Sequence, residues 1–172
     1  FIIEGYANRV EADFQRQVGE RLLKNFYSWW AARERQVIAV ETGFSWTLTD
    51  GTQISGRLDR VERTPQGLLI VDFKTGMQRP QNEVDADLQL SLYALAAQQK
   101  WEEPVSELSL LFLSEDGVND VRTARPSGQL QDAQRGIALL IEHIESGDMH
   151  PTPAREKCSR CPYRTVCDVA AV

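Results

Sequence analysis

Hydrophobic spacing divides the chain into helices and strands. Phe14, Val18, Leu22 and Phe26 recur four residues apart, and Leu23, Tyr27 and Trp30 widen their stripe. That period predicts a helix over 11–32. From Ile38 the period shortens to two. Ile38, Val40, Thr42, Phe44 and Trp46 alternate with Glu41, Gly43 and Ser45, which predicts a strand over 38–47. Asp50-Gly51 is a hairpin turn signal leading into a second strand, Gln53 to Glu62. A second turn signal lies at Thr64 to Gly67. The run Leu68 to Lys74 is apolar almost throughout, the pattern of a strand covered on both faces. Three strands therefore follow one another as a meander.

Met77 to Asn82 reads as a loop around Pro80, and 85–101 as a helix. Leu88, Leu92, Leu95 and Ala96 share one face of that helix, with Tyr93 and Ala97 at its margins. Ser106 to Ser114 is a further apolar strand, Glu115-Asp116-Gly117 a turn, and Val118 to Thr123 a weaker strand suited to a sheet edge. Gln129 to Ile144 is helical through Ala133, Ile137, Leu140 and Ile144, and Gly147 to Pro153 breaks regular structure. This order predicts an α/β fold with a central mixed β-sheet flanked by helices.

Length and composition narrow the classes. A chain of 172 residues with 42% hydrophobic and 26% charged side chains fits one globular domain, 1–172, with a cysteine-rich tail at 150–172. No run is long and apolar enough for a membrane span, and no signal-peptide pattern opens the chain. The first residue is Phe1, from which we expect a piece of a longer polypeptide. A net charge of −6 runs against a basic nucleic-acid-binding surface.

The candidate chemistry sits at the end of the third strand. Asp72 and Lys74 point to one face and Phe73 to the other. Asp59 reaches the same place if the hairpin is in simple register. Two carboxylates suit a hard divalent cation, and a lysine beside them can meet an attacking water or a phosphate oxygen. The plainer reading of Asp-x-Lys is an ion pair capping a strand end. Glu41 is either a solvent-facing glutamate or a neighbour of that site. Gln89 and Tyr93, four apart, stack on one side of a helix.

Cys158, Cys161 and Cys167 follow a C-x2-C-x5-C spacing. Thiolates so placed suit zinc or an iron–sulfur cluster, both of which usually take four ligands. His150 could complete a zinc site, and a cysteine upstream of Phe1 could complete either. Three unrelated thiols is the remaining alternative.

Together these features resemble the PD-(D/E)xK nuclease superfamily, in its branch of RecB-type domains fused to helicases and of AddB-like and Cas4-like iron–sulfur exonucleases. The resemblance rests on Glu41, on Gly56 to Arg60 (G-R-L-D-R), on Asp72 to Gly76 (D-F-K-T-G), on Gln89 to Tyr93 (Q-L-S-L-Y) and on the cysteine tail. It implies a restriction-endonuclease-like core and a bacterial, cytoplasmic, nucleoid-associated protein. Asp59, Asp72 and the Phe73 carbonyl would bind Mg²⁺ or Mn²⁺, Lys74 would orient the attacking water, and Glu41 would support the site. Gln89 and Tyr93 would contact DNA or buttress the lysine. Cys158, Cys161 and Cys167 would hold a 4Fe-4S cluster in the intact protein, with a fourth cysteine outside this chain.

The implied activity is a metal-dependent DNA exonuclease attached to a repair or recombination helicase. The alternative is an inactive module of the same fold that binds DNA or a partner protein; a zinc-stabilised structural domain is a third reading. Two features depart from the branch: no histidine precedes the first strand, and the first cluster cysteine is absent. Both agree with a start partway through the nuclease region.

Overall fold

The computed structural model describes residues 4–48, 51–147 and 150–171. Five strands form one sheet in the order β1-β2-β3-β4-β5, with β1 (Gln36–Thr47), β2 (Gln53–Thr64), β3 (Gly67–Lys74), β4 (Val105–Ser114) and β5 (Gly117–Thr123). The first three are antiparallel neighbours, as the alternation predicts. β3 and β4 run parallel, and β5 returns antiparallel along the edge. The sheet is therefore mixed, and the parallel step requires a crossover, which the helical segment between β3 and β4 supplies. Asp50 of the predicted first hairpin turn lies outside the described residues.

The helices are α1 (Arg9–Ala31), α2 (Gln81–Asp85), α3 (Leu88–Trp101), α4 (Ser127–Glu145) and α5 (Arg155–Ser159). The residues fall into two compact units, 1–133 and 134–172. In the first, α1 packs on β4 and β5, α2 on β5, and α3 on β1 and β4. β3 is covered on both faces: Leu68, Leu69, Ile70, Val71 and Asp72 are all buried. Leu69, Val71 and Leu111 meet Phe26 and Trp29 of α1 on one side.

Three expectations are corrected. The helix expected over 85–101 begins only at Leu88, because the Asp87 carboxylate accepts the Leu90 N–H at 2.8 Å and caps α3 there. The preceding segment, expected as loop to Asn82, turns helical at Gln81. The buried side of α3 includes the expected Leu95 and Ala96 but also Leu90, Tyr93, Ala94 and Ala97, while Leu88 is exposed. The covered face is wider than the spacing implied, so Tyr93 and Ala97 move from its margins into the core. In α1, Phe14, Leu23 and Tyr27 are exposed, so the helix is only half covered.

Candidate active site

The β2/β3 ladder runs from Thr64↔Gly67 to Arg60↔Val71 and then stops. One more rung would set Asp59 opposite Asp72. Instead the strands part, and the Asp59 carboxylate takes over: its Oδ2 accepts the Phe73 backbone N–H at 2.8 Å. The last residues of β3 keep their parallel pairing to β4 through Lys74↔Phe112. Asp59, Asp72 and Lys74 thus come together at a fork in the sheet.

Four side chains close a ring there. Lys74 Nζ lies 2.7 Å from Asp72 Oδ2 and donates to Gln89 Oε1 at 3.1 Å. The Gln89 amide donates to the Tyr93 hydroxyl at 2.8 Å, and that hydroxyl is hydrogen-bonded to Asp72. Asp72 is buried, and desolvation raises its pKa above the ordinary carboxylate value. Lys74 and Tyr93 pull it back down, while the neighbouring charge of Asp59 pushes it further up. Burial and the two carboxylates push the Tyr93 phenol up to about 12, so it stays protonated as a donor at neutral pH.

The Asp72 Oδ2 atom is buried and has no aligned hydrogen-bond donor among the described residues, although the lysine nitrogen is close. A buried carboxylate oxygen with spare capacity, next to a second carboxylate, fits a divalent cation. The donor set is all oxygen, which favours Mg²⁺ or Mn²⁺ over softer metals.

The surroundings explain the glycine in G-R-L-D-R. Gly56 pairs with Phe44, and a Cβ on Gly56 would fall 2.6 Å from Phe44 Cζ. The missing side chain lets the Phe44 ring lie against β2, from where it meets Tyr93 edge-on with centroids 6.1 Å apart. Glu41 stands beside the site. It lies between the Val40↔Arg60 and Thr42↔Leu58 pairs, but its carboxylate turns to Arg57 at 3.6 Å and is well exposed. Its φ of +47° is left-handed, a strained conformation for glutamate within a strand.

Sequence reasoning gave no role to the charges on the opposite side of the fork. Arg60 and Glu62 are buried, with Arg60 Nε 2.9 Å from Glu62 Oε1. Arg35 approaches the same oxygen at 3.8 Å. The Arg60 guanidinium lies over Trp30 at 4.6 Å and Phe73 at 5.0 Å. The available signal was two charges at alternate positions of a strand otherwise heading into the core.

In the second unit Cys158, Cys161 and Cys167 line one cavity of about 260 Å³, together with Pro151, Pro153, Lys157 and Val169. The Ala171 N–H donates to Cys158 Sγ at 3.3 Å. His150 is not part of that lining. Among the described residues no three His, Cys, Asp or Glu side chains are drawn together closely enough to hold an ion.

A five-stranded mixed sheet flanked by helices is consistent with the restriction-endonuclease-like fold that the motifs implied. The profile of the PD-(D/E)XK nuclease superfamily matches residues 4–168, and the chain belongs to that superfamily. Its members typically use divalent metal ions. The Gene 69 protein of Mycobacterium phage L5 is 29% identical over 138 residues, 76% of this chain and 44% of that protein. Two solved structures share the fold. SSO0001 matches 78% of this chain and 61% of its own, with a TM-score of 0.54 and 16% identity. A candidate exonuclease from Eubacterium rectale matches 100% of this chain and 66% of its own, with a TM-score of 0.53 and 14% identity. The chain thus spans less than half of its curated relative.

Proposed function

We propose that this chain is the catalytic domain of a metal-dependent DNA nuclease that works as an exonuclease beside a repair or recombination helicase. The observation that carries the nuclease chemistry is the buried Asp72 carboxylate, paired with Lys74 and next to the charge of Asp59. Asp59, Asp72 and the Phe73 carbonyl would hold Mg²⁺ or Mn²⁺. When bound, the ion lowers the pKa of a water and offsets phosphodiester charge.

The residues of the chain supply the rest. Lys74, one-third exposed, offers its ammonium to the attacking water or to a phosphate oxygen. Gln89 and Tyr93 hold it in place through the ring of hydrogen bonds. Glu41 and Arg57 form the exposed rim, where Arg57 is suited to a phosphate of the strand. The likeness to a candidate exonuclease supports the fold of this reading, and the terminal-digestion and helicase parts rest on the motif resemblance.

Cys158, Cys161 and Cys167 are proposed as three of the four ligands of a 4Fe-4S cluster, since three thiols share one cavity. Iron and sulfide analysis of protein purified without oxygen tests that assignment, and zinc in place of iron would refute it. The nuclease assignment is tested with Lys74→Ala and Asp59→Asn in the full-length protein on end-labelled and circular DNA. Loss of Mg²⁺-dependent cleavage supports it, and cleavage at the unmodified rate overturns it. Resistance of the circular substrate separates exonuclease from endonuclease action.

A further inference from the structure

Arg60 follows Asp59 directly, so its side chain leaves the strand on the side of α1, away from Lys74 and Tyr93. Its guanidinium is buried there, at a desolvation cost. Hydrogen bonding does not offset that cost. Arg60 Nη2 has no acceptor among the described residues, and Nε is not aligned on Glu62 despite the short distance. What the group does have is two ring faces, Trp30 and Phe73, plus the Glu62 charge. A flat, weakly hydrated cation is suited to that use, and an ammonium is not.

The Phe73 ring is also pinned edge-on by Phe26, with centroids 5.4 Å apart. Its backbone, in turn, is what anchors Asp59. Arg60 itself forms the final β2/β3 rung with Val71. One residue thus ends the β2/β3 ladder with its backbone and stacks on the ring of Phe73, two residues past the last rung, with its side chain. We propose that Arg60 is a positioning residue for the metal-binding pair: by stacking on the Phe73 ring it holds the Phe73 N–H on Asp59, and so sets the placement of Asp59 against Asp72. This rests on the nuclease reading for its purpose but not for its mechanics.

The experiment therefore has one readout that needs no metal. In Arg60→Met, hydrogen exchange at the Phe73 amide of the metal-free full-length protein should quicken roughly tenfold or more, while Ile70 and Leu110 keep their rates, as for a local opening. Mn²⁺ affinity, read by electron paramagnetic resonance of the free ion, should fall about 10–100-fold, the usual effect of disturbing the support of a ligand. Phe73→Leu keeps the amide and removes the ring. It should reproduce both effects, and it decides the matter if Arg60→Met does not fold. Unchanged Phe73 exchange in a folded variant overturns the proposal, and so does a uniform rise at all core amides, which marks a merely structural residue. If the parent protein binds no Mn²⁺, or Asp59→Asn binds it equally well, the nuclease reading fails, while the Phe73 exchange rate still decides the role of Arg60.

Discussion

The Phe73 backbone N–H donates to Asp59 Oδ2 across 2.8 Å at the point where β2 and β3 stop pairing. A carboxylate does there what a strand carbonyl does in the rungs before it. The consequence is that one backbone segment carries two duties: it holds Asp59 by its N–H, and it presents Asp72 and Lys74 on either side of that N–H. The spacing of the candidate ligands is thereby tied to the geometry of a sheet rather than to a loop.

Lys74→Ala should lower metal-dependent cleavage by roughly 10²–10³-fold, the range seen when a single group that stabilises developing charge is removed. The thermal midpoint of the metal-free protein should fall near neutral pH, because the buried Asp72 carboxylate loses its paired cation. Parallel cleavage assays and melting curves check both statements.

The raised pKa of Asp72 gives the metal-free protein a signed pH dependence. Between the ordinary carboxylate value of 3.8 and the raised one, the folded chain holds a proton that the unfolded chain has released. The contribution of this group is therefore complete below the ordinary value and is lost as pH climbs through the raised one. Asp72→Asn should flatten that slope and melt higher than the parent near neutral pH, by about 2–4 °C for each kcal/mol relieved. Added Mg²⁺ should stabilise the parent and leave the variant unchanged. Melting curves from acid to neutral pH, with and without the ion, decide it.

Gly56→Ala should cost about 1–3 kcal/mol, the usual range for overpacking. The new Cβ meets Phe44 Cε1 at 2.8 Å, so the ring must move off Tyr93. Most of the loss should vanish in the Phe44→Ala background, since the two sites share one contact. Gly67→Ala should cost more than Gly56→Ala. Its φ is +134°, and the added Cβ would sit 2.4 Å from the Pro104 carbonyl oxygen, which already accepts the Leu68 N–H and cannot swing away. Urea denaturation of the four variants orders them.

On the proposed cluster ligation, replacing Cys158, Cys161 or Cys167 singly by serine should reduce bound iron to a small fraction of the parent value, because a cluster lost from one thiolate loses its remaining support. On the same proposal, the accompanying fall in stability should be confined to protein purified without oxygen, the condition in which the cluster would be bound. Metal analysis paired with melting curves tests the link.

The strands of the meander, the two-sided burial of β3 and the edge position of β5 could be read from spacing alone. A period of two or 3.6 is a local property, set by how Cβ atoms leave the backbone. The same alternation put Asp72 and Lys74 on one face, but Asp59 joins them through the Phe73 N–H past the last β2/β3 rung rather than through a further rung. The helix expected from Asp85 starts at Leu88, after the separate short α2, because Asp87 caps it there.

What only the tertiary structure decided are the contacts between elements that the chain order keeps apart. Gln89 meets Lys74, and Phe44 meets Tyr93, through packing of α3 on the sheet. The same holds for Arg60: its charge next to Asp59 is plain in the sequence, but its place between Trp30 and Phe73 depends on where α1 lies. Local periodicity determines which way a side chain faces. The identity of the group it then meets depends on non-local packing, whose energy is spread over many weak contacts that no short window of sequence contains.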